Sequence, residues 1–376
     1  MSTSVYEAPE LPLIRYSKKE EPFARIMRER VNAYFRDQHL SKFANPPMVG
    51  KAFFQFFLWT GLYALIISNQ FQGWSLFFLQ LAFYFTVFLV SVGIAHDGSH
   101  NAFSANPKVN GAMNRVFDFI GINSYMWDFN HIKSHHNVPN IPLYDSAIDS
   151  FKLFRFHPRA AYFKFHRYQQ YYILAIYAFA TLFKIFFLDF FSFSRNRIGF
   201  IKMEEHSRKE ILWLVTTKLV VITYMLVLPL TILDAPAWQI IAGFLCGNFI
   251  AGIALGVIFQ VTHLCDYTRW PEPDNNGIIN NSFARHIMET TSDFCPYNRV
   301  VTWIAGGLNN HVAHHLFPDI SQIHLPALTK IVKATAVEFD VPYKAYPTVG
   351  AALRSHFYTL KKLGEEKKSL YQVPTT

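Results

Sequence analysis

The chain has 376 residues, of which 51% are hydrophobic, 17% aromatic and only 16% charged, whereas soluble domains usually carry about 25% charged residues. The net charge of +9 cannot reside in an apolar interior, so the cations belong to ends and loops, on the side facing anionic headgroups; no basic helix or nucleic-acid module accompanies them, which argues against nucleic-acid binding. Cys246, Cys265 and Cys295 form no CxxC pair, which argues against an iron–sulfur cluster or zinc ribbon.

Residues 1–50 begin polar and charged and do not read as a signal peptide; they are expected to form a polar cytoplasmic N-terminal segment. Residues 52–69 and 75–95 carry no charge, and each is about long enough to span a ~30 Å hydrocarbon core. The link at 70–74 lacks Lys and Arg, so the two read as a hairpin with its tip outside. A second pair is expected at 211–232 and 238–260, again with a link free of Lys and Arg. Basic residues precede both pairs: Lys18, Lys19, Arg25, Arg28 and Arg30, then Arg195, Arg197, Lys202, Arg208 and Lys209. By the positive-inside rule those flanks are cytoplasmic.

Segment 171–189 is apolar enough to be a fifth span, apart from Lys184. Parity opposes that reading, because a crossing there would send the histidines before and after the second pair to opposite compartments. The expectation is a half-buried helix lying in the interface. Residues 326–339 have helical periodicity, and residues 346–376 are expected to be a cytoplasmic C-terminal tail.

Three histidine clusters stand out: His96 and His100 in AHDGSHNAF; His131, His135 and His136 in NHIKSHHN; His311, His314 and His315 in NNHVAHHLFP. Residues three or four apart share a helix face, so each cluster can aim at least two imidazoles at one point, and imidazole suits iron, zinc, copper or nickel. His263 follows the last span at the depth where His96 follows the second. A lone HxxxH is common by chance; three clusters at one membrane face are hard to explain by packing, and ionisable groups at that depth are functional by default. Asp97, Asn101, Asn130, Asn137 and Asn310 flank the clusters and are candidates to orient imidazole N–H groups, with simple cap or turn roles as the alternative. Asp266 and Asp293 are more distant candidates. His39, His157, His166, His206, His324 and His356 stand alone and read as surface or locally bonded residues. No ExxH pairs of carboxylate-bridged di-iron bundles occur.

These boxes, in this order and with these apolar intervals, resemble the membrane fatty-acid desaturase superfamily. The resemblance runs from about Phe53 to Gly364 and is strongest in NRVVTWIAGGLNNHVAHHLFPDISQIHLPALTKIV, which is similar to the third-box region of bacterial acyl-lipid and linoleoyl-CoA-type desaturases. It implies an all-α integral membrane protein of the bacterial cytoplasmic membrane, with four transmembrane helices in two hairpins, interfacial helices and a helical cytoplasmic cap, the desaturase domain covering 51–345. It implies two iron ions on the cytoplasmic side and a hydrophobic tunnel for an acyl chain carried on lipid, CoA or a carrier protein. Matching motif positions makes His96, His100, His131, His135, His136, His311, His314 and His315 ligands. His263 corresponds to an extra ligand of acyl-CoA desaturases, and His286, in RHIMETTSDF, to a histidine that ligates metal or positions substrate.

Departures from that pattern are His311, where many relatives have Gln; Ala313, where Glu is frequent; and Phe259, where animal acyl-CoA enzymes have Asn. Residues 1–50 lack the HPGG motif of a fused cytochrome b5, and no GxGxxG follows a strand, so electrons are expected from a separate ferredoxin- or cytochrome-type donor. The implied reaction is O2-dependent removal of two hydrogens from the acyl chain; hydroxylation, acetylenic-bond formation and oxidative decarboxylation are alternatives on the same scaffold. A metal transporter or haem protein is the reading from another class. Transporters bind near the midplane on broken helices, whereas these histidines lie at span ends, and a haem protein needs one or two ligands rather than three clusters.

Overall fold

The computed structural model describes residues 11–17, 21–148 and 152–365. Eleven helices carry the account: α1 (Pro22–Asp37), α2 (Pro46–Ile67), α3 (Gly73–Ser99), α4 (Lys164–Phe193), α5 (Arg208–Ile232), α6 (Ala237–Gln260), α7 (Phe283–Thr290), α8 (Arg299–Ile304), α9 (His311–Leu316), α10 (Leu325–Glu338) and α11 (Val349–Glu365). The strands of the described residues are two-residue ladders: Arg15–Tyr16 beside Ile278–Ile279, Arg197–Ile198 beside Ile201–Lys202, and Asp293–Phe294 beside Ala345–Tyr346. They pin loops and build no layer.

α2 and α3 form one hairpin and α5 and α6 the other. The tips are tied together: Asn69 Nδ2 donates to Asp234 Oδ2 at 2.6 Å, the Asp234 amide donates to Asn69 Oδ1 at 2.8 Å, and Gln239 Nε2 donates to the Gly73 carbonyl. Trp74 and Trp238, 75% and 72% exposed, stand at these tips, where an aromatic belt meets headgroups. α3 and α6 run parallel, with Gln80 against Gly243 and Tyr84 against Gly247, so both deliver their C-terminal ends to the same face. Phe53, Phe57, Phe78 and Leu219 point outward, each at least 60% exposed, as lipid-facing side chains do.

Five helices, α2 to α6, are long and apolar enough to cross a membrane. The fifth, α4, contains the segment expected at 171–189. It is longer than expected, and both its ends meet the histidine side. At its start Gln169 Nε2 donates to the Leu360 carbonyl of α11. At its end Asp189 Oδ2 accepts from the Asn123 amide, and the Phe193 carbonyl meets His206, whose ring also meets the Tyr125 hydroxyl. Between these ends Thr181 Oγ1 donates to the Asn248 carbonyl, midway along α6.

The lysine that interrupts α4 is neutralised inside the protein. Lys184 and Lys218 each lie 2.6 Å from an oxygen of fully buried Asp189, and Lys218 Nζ also donates to the Gly121 and Lys184 carbonyls. A buried charge persists only when paired and hydrogen-bonded. This group ties α4, α5 and the loop before the second box to one point.

The remaining helices form a cap. Phe23, Met27 and Val31 of α1 pack with Leu325, Leu328, Val332 and Ala336 of α10 and with Ile287 and Val312. The N-terminal region is therefore a packed element from Pro22 onward rather than a polar segment throughout; Lys18 and Lys19 lie outside the described residues. The expected tail differs likewise. α11 is amphipathic, and its His356 is fully buried, with Nδ1 at 2.9 Å from the Leu264 carbonyl and Nε2 at 3.0 Å from the Tyr177 hydroxyl. His157, His166 and His324 are buried as well, so only His39 and His206 keep appreciable exposure among the isolated histidines. Residues 366–376 lie outside the described residues.

Gly252 is where α4 meets α6: a Cβ there would collide with the backbone carbonyls of Tyr177 and Ala178. Backbone cannot move aside as a flexible side chain can. Gly252→Leu is expected to lower thermal stability in detergent by roughly 1–3 kcal/mol, the usual cost of overpacking; an unchanged melting temperature would show that the crossing is looser than described.

Candidate metal centre

The first two histidine clusters are each positioned by a local distortion. α3 passes through a π-helical turn, Ser91–Ala95, and runs on to Ser99, so His96 lies inside the helix rather than after it. His96 and His100 then share one face. The second cluster sits in a π-helical stretch, Asp128–His135. There the His136 amide bonds the His131 carbonyl, and the ring whose Nε2 meets that of His131 belongs to His136, five positions on. His135 turns the other way. α9 carries the third cluster at ordinary α spacing: His311 and His315 point together and His314 apart.

The nine imidazoles are all buried and separate into two groups. His96, His100, His131 and His314 form one, and His135, His263, His311 and His315 the other; within each, one nitrogen per ring lies within 4.8 Å of every other. His136 joins the first, its Nε2 at 3.2 Å from Nε2 of both His131 and His314. His96 Nε2 is 3.1 Å from His131 Nε2. In the second group His263 Nε2 lies 3.2, 3.0 and 3.1 Å from Nε2 of His135, His311 and His315, and the last two are 3.3 Å apart.

Hydrogen bonds among the rings cannot account for this. His263, His311 and His315 form a triangle, and each nitrogen carries either a proton or a lone pair. Two of three must be alike, so at least one short contact pairs like with like. His263 Nδ1 faces the Thr290 carbonyl at 3.1 Å, and His135 Nδ1 faces Asp145 Oδ2 at 3.0 Å. A carbonyl and a carboxylate only accept, so both rings carry their proton on Nδ1. The Nε2 lone pair of His263 thus meets three ring nitrogens, of His311, His315 and His135, at 3.0, 3.1 and 3.2 Å, a crowded contact. A cation relieves that contact. Metal–nitrogen bonds of about 2.1 Å would separate neighbouring ligand nitrogens by about 3.0–3.4 Å, from right-angled to tetrahedral. The spacing, the donor set and the orphaned Nε2 of buried His100 all fit metal ions.

Electrostatics agree. Burial holds His100, His131, His136, His263, His311, His314 and His315 well below the ordinary imidazole range, and neighbouring histidines lower each further. They are kept neutral, the form that ligates.

The residues expected to orient the rings do other work. Asp97 accepts from Ser321 Oγ and the Gln322 amide; Asn130 Nδ2 donates to the Met126 carbonyl; Asn137 Nδ2 donates to the Lys133 carbonyl; Asn310 Nδ2 donates to Asn309 Oδ1. Asn101 is exposed at a left-handed turn, φ 56°. Orientation comes instead from Asp145 and the Thr290 carbonyl, and Asp293 Oδ1 accepts from the Val312 amide in the third box. Burial raises the Asp293 carboxyl to about 7. The signal for Asp145 was an acid ten residues past His135, too remote for a helix-face argument. His286 is not brought into either group: its Nε2 lies 2.9 Å from the Pro139 carbonyl, behind the His263 loop.

Two cavities lead to the histidines. One, of ≈ 210 Å³, is lined by His131, His135 and His263; the other, of ≈ 190 Å³ and almost wholly apolar, runs between α3, α4 and α6 past Val87, Ile120 and Leu255. Trp127, Lys184, Phe259 and Gln260 line both and form a collar between them. Phe259, at the position of the Asn in animal acyl-CoA enzymes, places its ring 6.3 Å from that of His96.

Residues 72–347 match the family model for fatty acid desaturases. The chain is similar to the acyl-lipid (8-3)-desaturase of Physcomitrium patens, with 32% identity covering 93% of this chain and 74% of that protein. It is equally similar to the sn-1 linoleoyl-lipid 6-desaturase of Synechocystis sp., with 32% identity over 94% and 98%. The sn-1 linoleoyl-lipid 6-desaturase of Arthrospira platensis is 28% identical over 93% and 95%.

Asp145 gives a test independent of the reaction. Beyond His135, its carboxylate accepts from the Asn140 and Ala147 amides, and Asn140 Nδ2 in turn donates to the His263 carbonyl. Asp145→Asn keeps the size but weakens the acceptor, and is expected to reduce metal affinity roughly 10–100-fold, read by metal analysis after dialysis against graded chelator. Retention equal to the parent chain would remove Asp145 from this role.

Proposed function

The chain belongs to the fatty acid desaturase family, and on that premise we propose that its two histidine groups hold two iron ions that desaturate the acyl chain of a membrane lipid. The activity class is fatty acyl desaturation, an oxidoreductase reaction in lipid metabolism, in a membrane protein. One observation carries the finer reading: the Nε2 atoms of His263, His311 and His315 lie 3.0, 3.1 and 3.3 Å apart in a triangle that hydrogen bonds cannot satisfy.

Histidine donors alone accept zinc as readily as iron; the redox demand of desaturation selects iron. When bound, the metal supplies O2 activation and hydrogen abstraction. The chain supplies position and dryness. The proposed ligands are His96, His100, His131, His136 and His314 on one side and His135, His263, His311 and His315 on the other. Asp145 and the Thr290 carbonyl fix two of the rings. The apolar cavity takes a length of hydrocarbon, and the collar of Trp127, Phe259 and Gln260 sets which methylene stands beside His131 and His263. Burial of that stretch keeps water from the reacting carbons. His286 buttresses the loop between Pro139 and His263 and is not assigned as a ligand.

The lipid-linked substrate is proposed from the names of the relatives, together with a cavity that lies between membrane helices. A separate acidic ferredoxin- or cytochrome-type donor is proposed for the electrons, steered by the basic histidine face. That face is assigned to the cytoplasm. Four crossings, by α2, α3, α5 and α6, satisfy parity; α4 reaches Asn248 midway along α6 but begins and ends against elements of the histidine side, and is not counted as a crossing.

The decisive experiment is expression in a host of known lipid composition, followed by acyl-chain analysis of each lipid class. A new double bond in one chain position is expected, and a hydroxylated product would transfer the chain to the hydroxylase alternative. Active protein should contain two irons. His131→Ala and His314→Ala should each abolish turnover supported by an added donor, while leaving the helical content unchanged. Full activity in either variant would falsify the assignment, and turnover with NADPH and O2 alone would remove the separate donor.

Orientation is tested by cysteines placed singly at Gln72, at the tip of the first hairpin, and at Lys202, on the histidine side. In intact cells an impermeant thiol reagent should reach Gln72→Cys and spare Lys202→Cys, measured against the parent chain. Equal labelling of the two would end the four-crossing arrangement.

A further inference from the structure

Away from the histidines, a cavity of ≈ 590 Å³ opens where the start of α2 meets α8 and the first turn of α10. Lys51, Arg299 and Lys330 line it, and no carboxylate does. Lys51 Nζ donates to Gln322 Oε1 at 2.7 Å and lies 5.3 Å from the centre of the Trp303 ring. Arg299 and Lys330 are exposed, and among the described residues neither has a hydrogen-bonding or ion-pairing partner.

The rim is apolar and aromatic. Tyr297 and Val300 are 51% and 67% exposed. The Trp303 ring lies 6.1 Å from that of Phe54, which begins the outward aromatic face of α2 with Phe53 and Phe57. A cationic hollow, an indole at its edge and a hydrocarbon-facing strip below it follow the order of a phospholipid: phosphate, interface, acyl chains. A soluble anion would use only the hollow.

We propose that this pocket binds the headgroup of an anionic phospholipid, with its acyl chains along the Phe53 and Phe57 face of α2. The site is separate from the substrate cavities. It rests on the membrane reading and is independent of the metal assignment. Binding is coupled to the centre through Gln322, whose side-chain amide donates to the Gly93 carbonyl at 3.2 Å, in the π-helical turn that leads to His96. Occupancy therefore braces that turn.

The test uses the full-length, delipidated protein in detergent and native mass spectrometry. The probes are phosphatidylglycerol and phosphatidylcholine with identical ether-linked chains, and inorganic phosphate. One phosphatidylglycerol is expected to be retained in preference to phosphatidylcholine. Arg299→Gln and Lys330→Gln, both solvent-facing and remote from the histidines, should each weaken retention about five-fold, which is about 1 kcal/mol per charge. Arg299→Lys should restore most of it. Equal retention of both lipids by the parent chain would overturn the site while leaving the membrane reading intact. Displacement of the lipid by millimolar phosphate would overturn the lipid assignment in favour of a small-anion pocket. Unchanged lipid retention in both variants, with a raised KM for an acidic electron donor, would make this face a protein dock instead.

Discussion

Imidazole nitrogens crowded like against like in a dry interior are the constraint on which the rest of this structure depends. Such an arrangement is unfavourable for the bare protein, because burial forbids the rings from resolving it by taking up protons. The surrounding fold is what enforces it. α3 and α6 arrive parallel and bring His96 and His263 to the same depth; the tied hairpin tips keep the two helices in register; Asp145, Asn140 and the Thr290 carbonyl hold the loops that would otherwise relax apart. A metal ion held there would release the repulsion and stabilise the fold and the centre in one event.

A second constraint acts within the membrane helices. The cluster of Lys184, Lys218 and Asp189 places two cations and one carboxylate deep in an apolar chain. Lys184 also lines the collar beside Phe259 and Gln260, so the element that anchors α4 is continuous with the wall of the apolar cavity. Change at this cluster would alter the shape of the cavity as well as the attachment of the helix.

Much of this was legible in the residues. Apolar runs of span length marked α2, α3, α5 and α6 to within a turn, apart from an earlier start to α2 and the continuation of α3 through His96. The spacing of the boxes identified the histidines that converge. The partition of those histidines was not legible, because the argument assumed α-helical spacing and the second box lies in a π-helical stretch. Local neighbours such as Asn101, Asn130 and Asn137 were natural candidates to orient the rings, yet they cap turns; the group that orients His135 lies ten residues away, brought back by a loop that periodicity cannot predict. His356 read as a surface or locally bonded residue, and it is the second: the charges around it occupy the outer face of an amphipathic helix and the histidine the inner one, against Leu264 and Tyr177.

The π-helical stretch that carries the second box has a consequence for how this protein can vary. It accommodates one residue more per turn than the α-helix around it, and that surplus is what sends His135 to one group and His136 to the other. Were it to wind as an ordinary α-helix at unchanged length, His135, four positions on, would come to share a face with His131 and His136 would turn away, so the two imidazoles would exchange groups although every histidine remained. Substitutions that leave the π-helical winding intact are therefore easier to accommodate than ones that restore α-helical winding. Among natural variants of this chain the side chains that hold this winding should persist while the outward ones drift, because its loss would rearrange both groups at once.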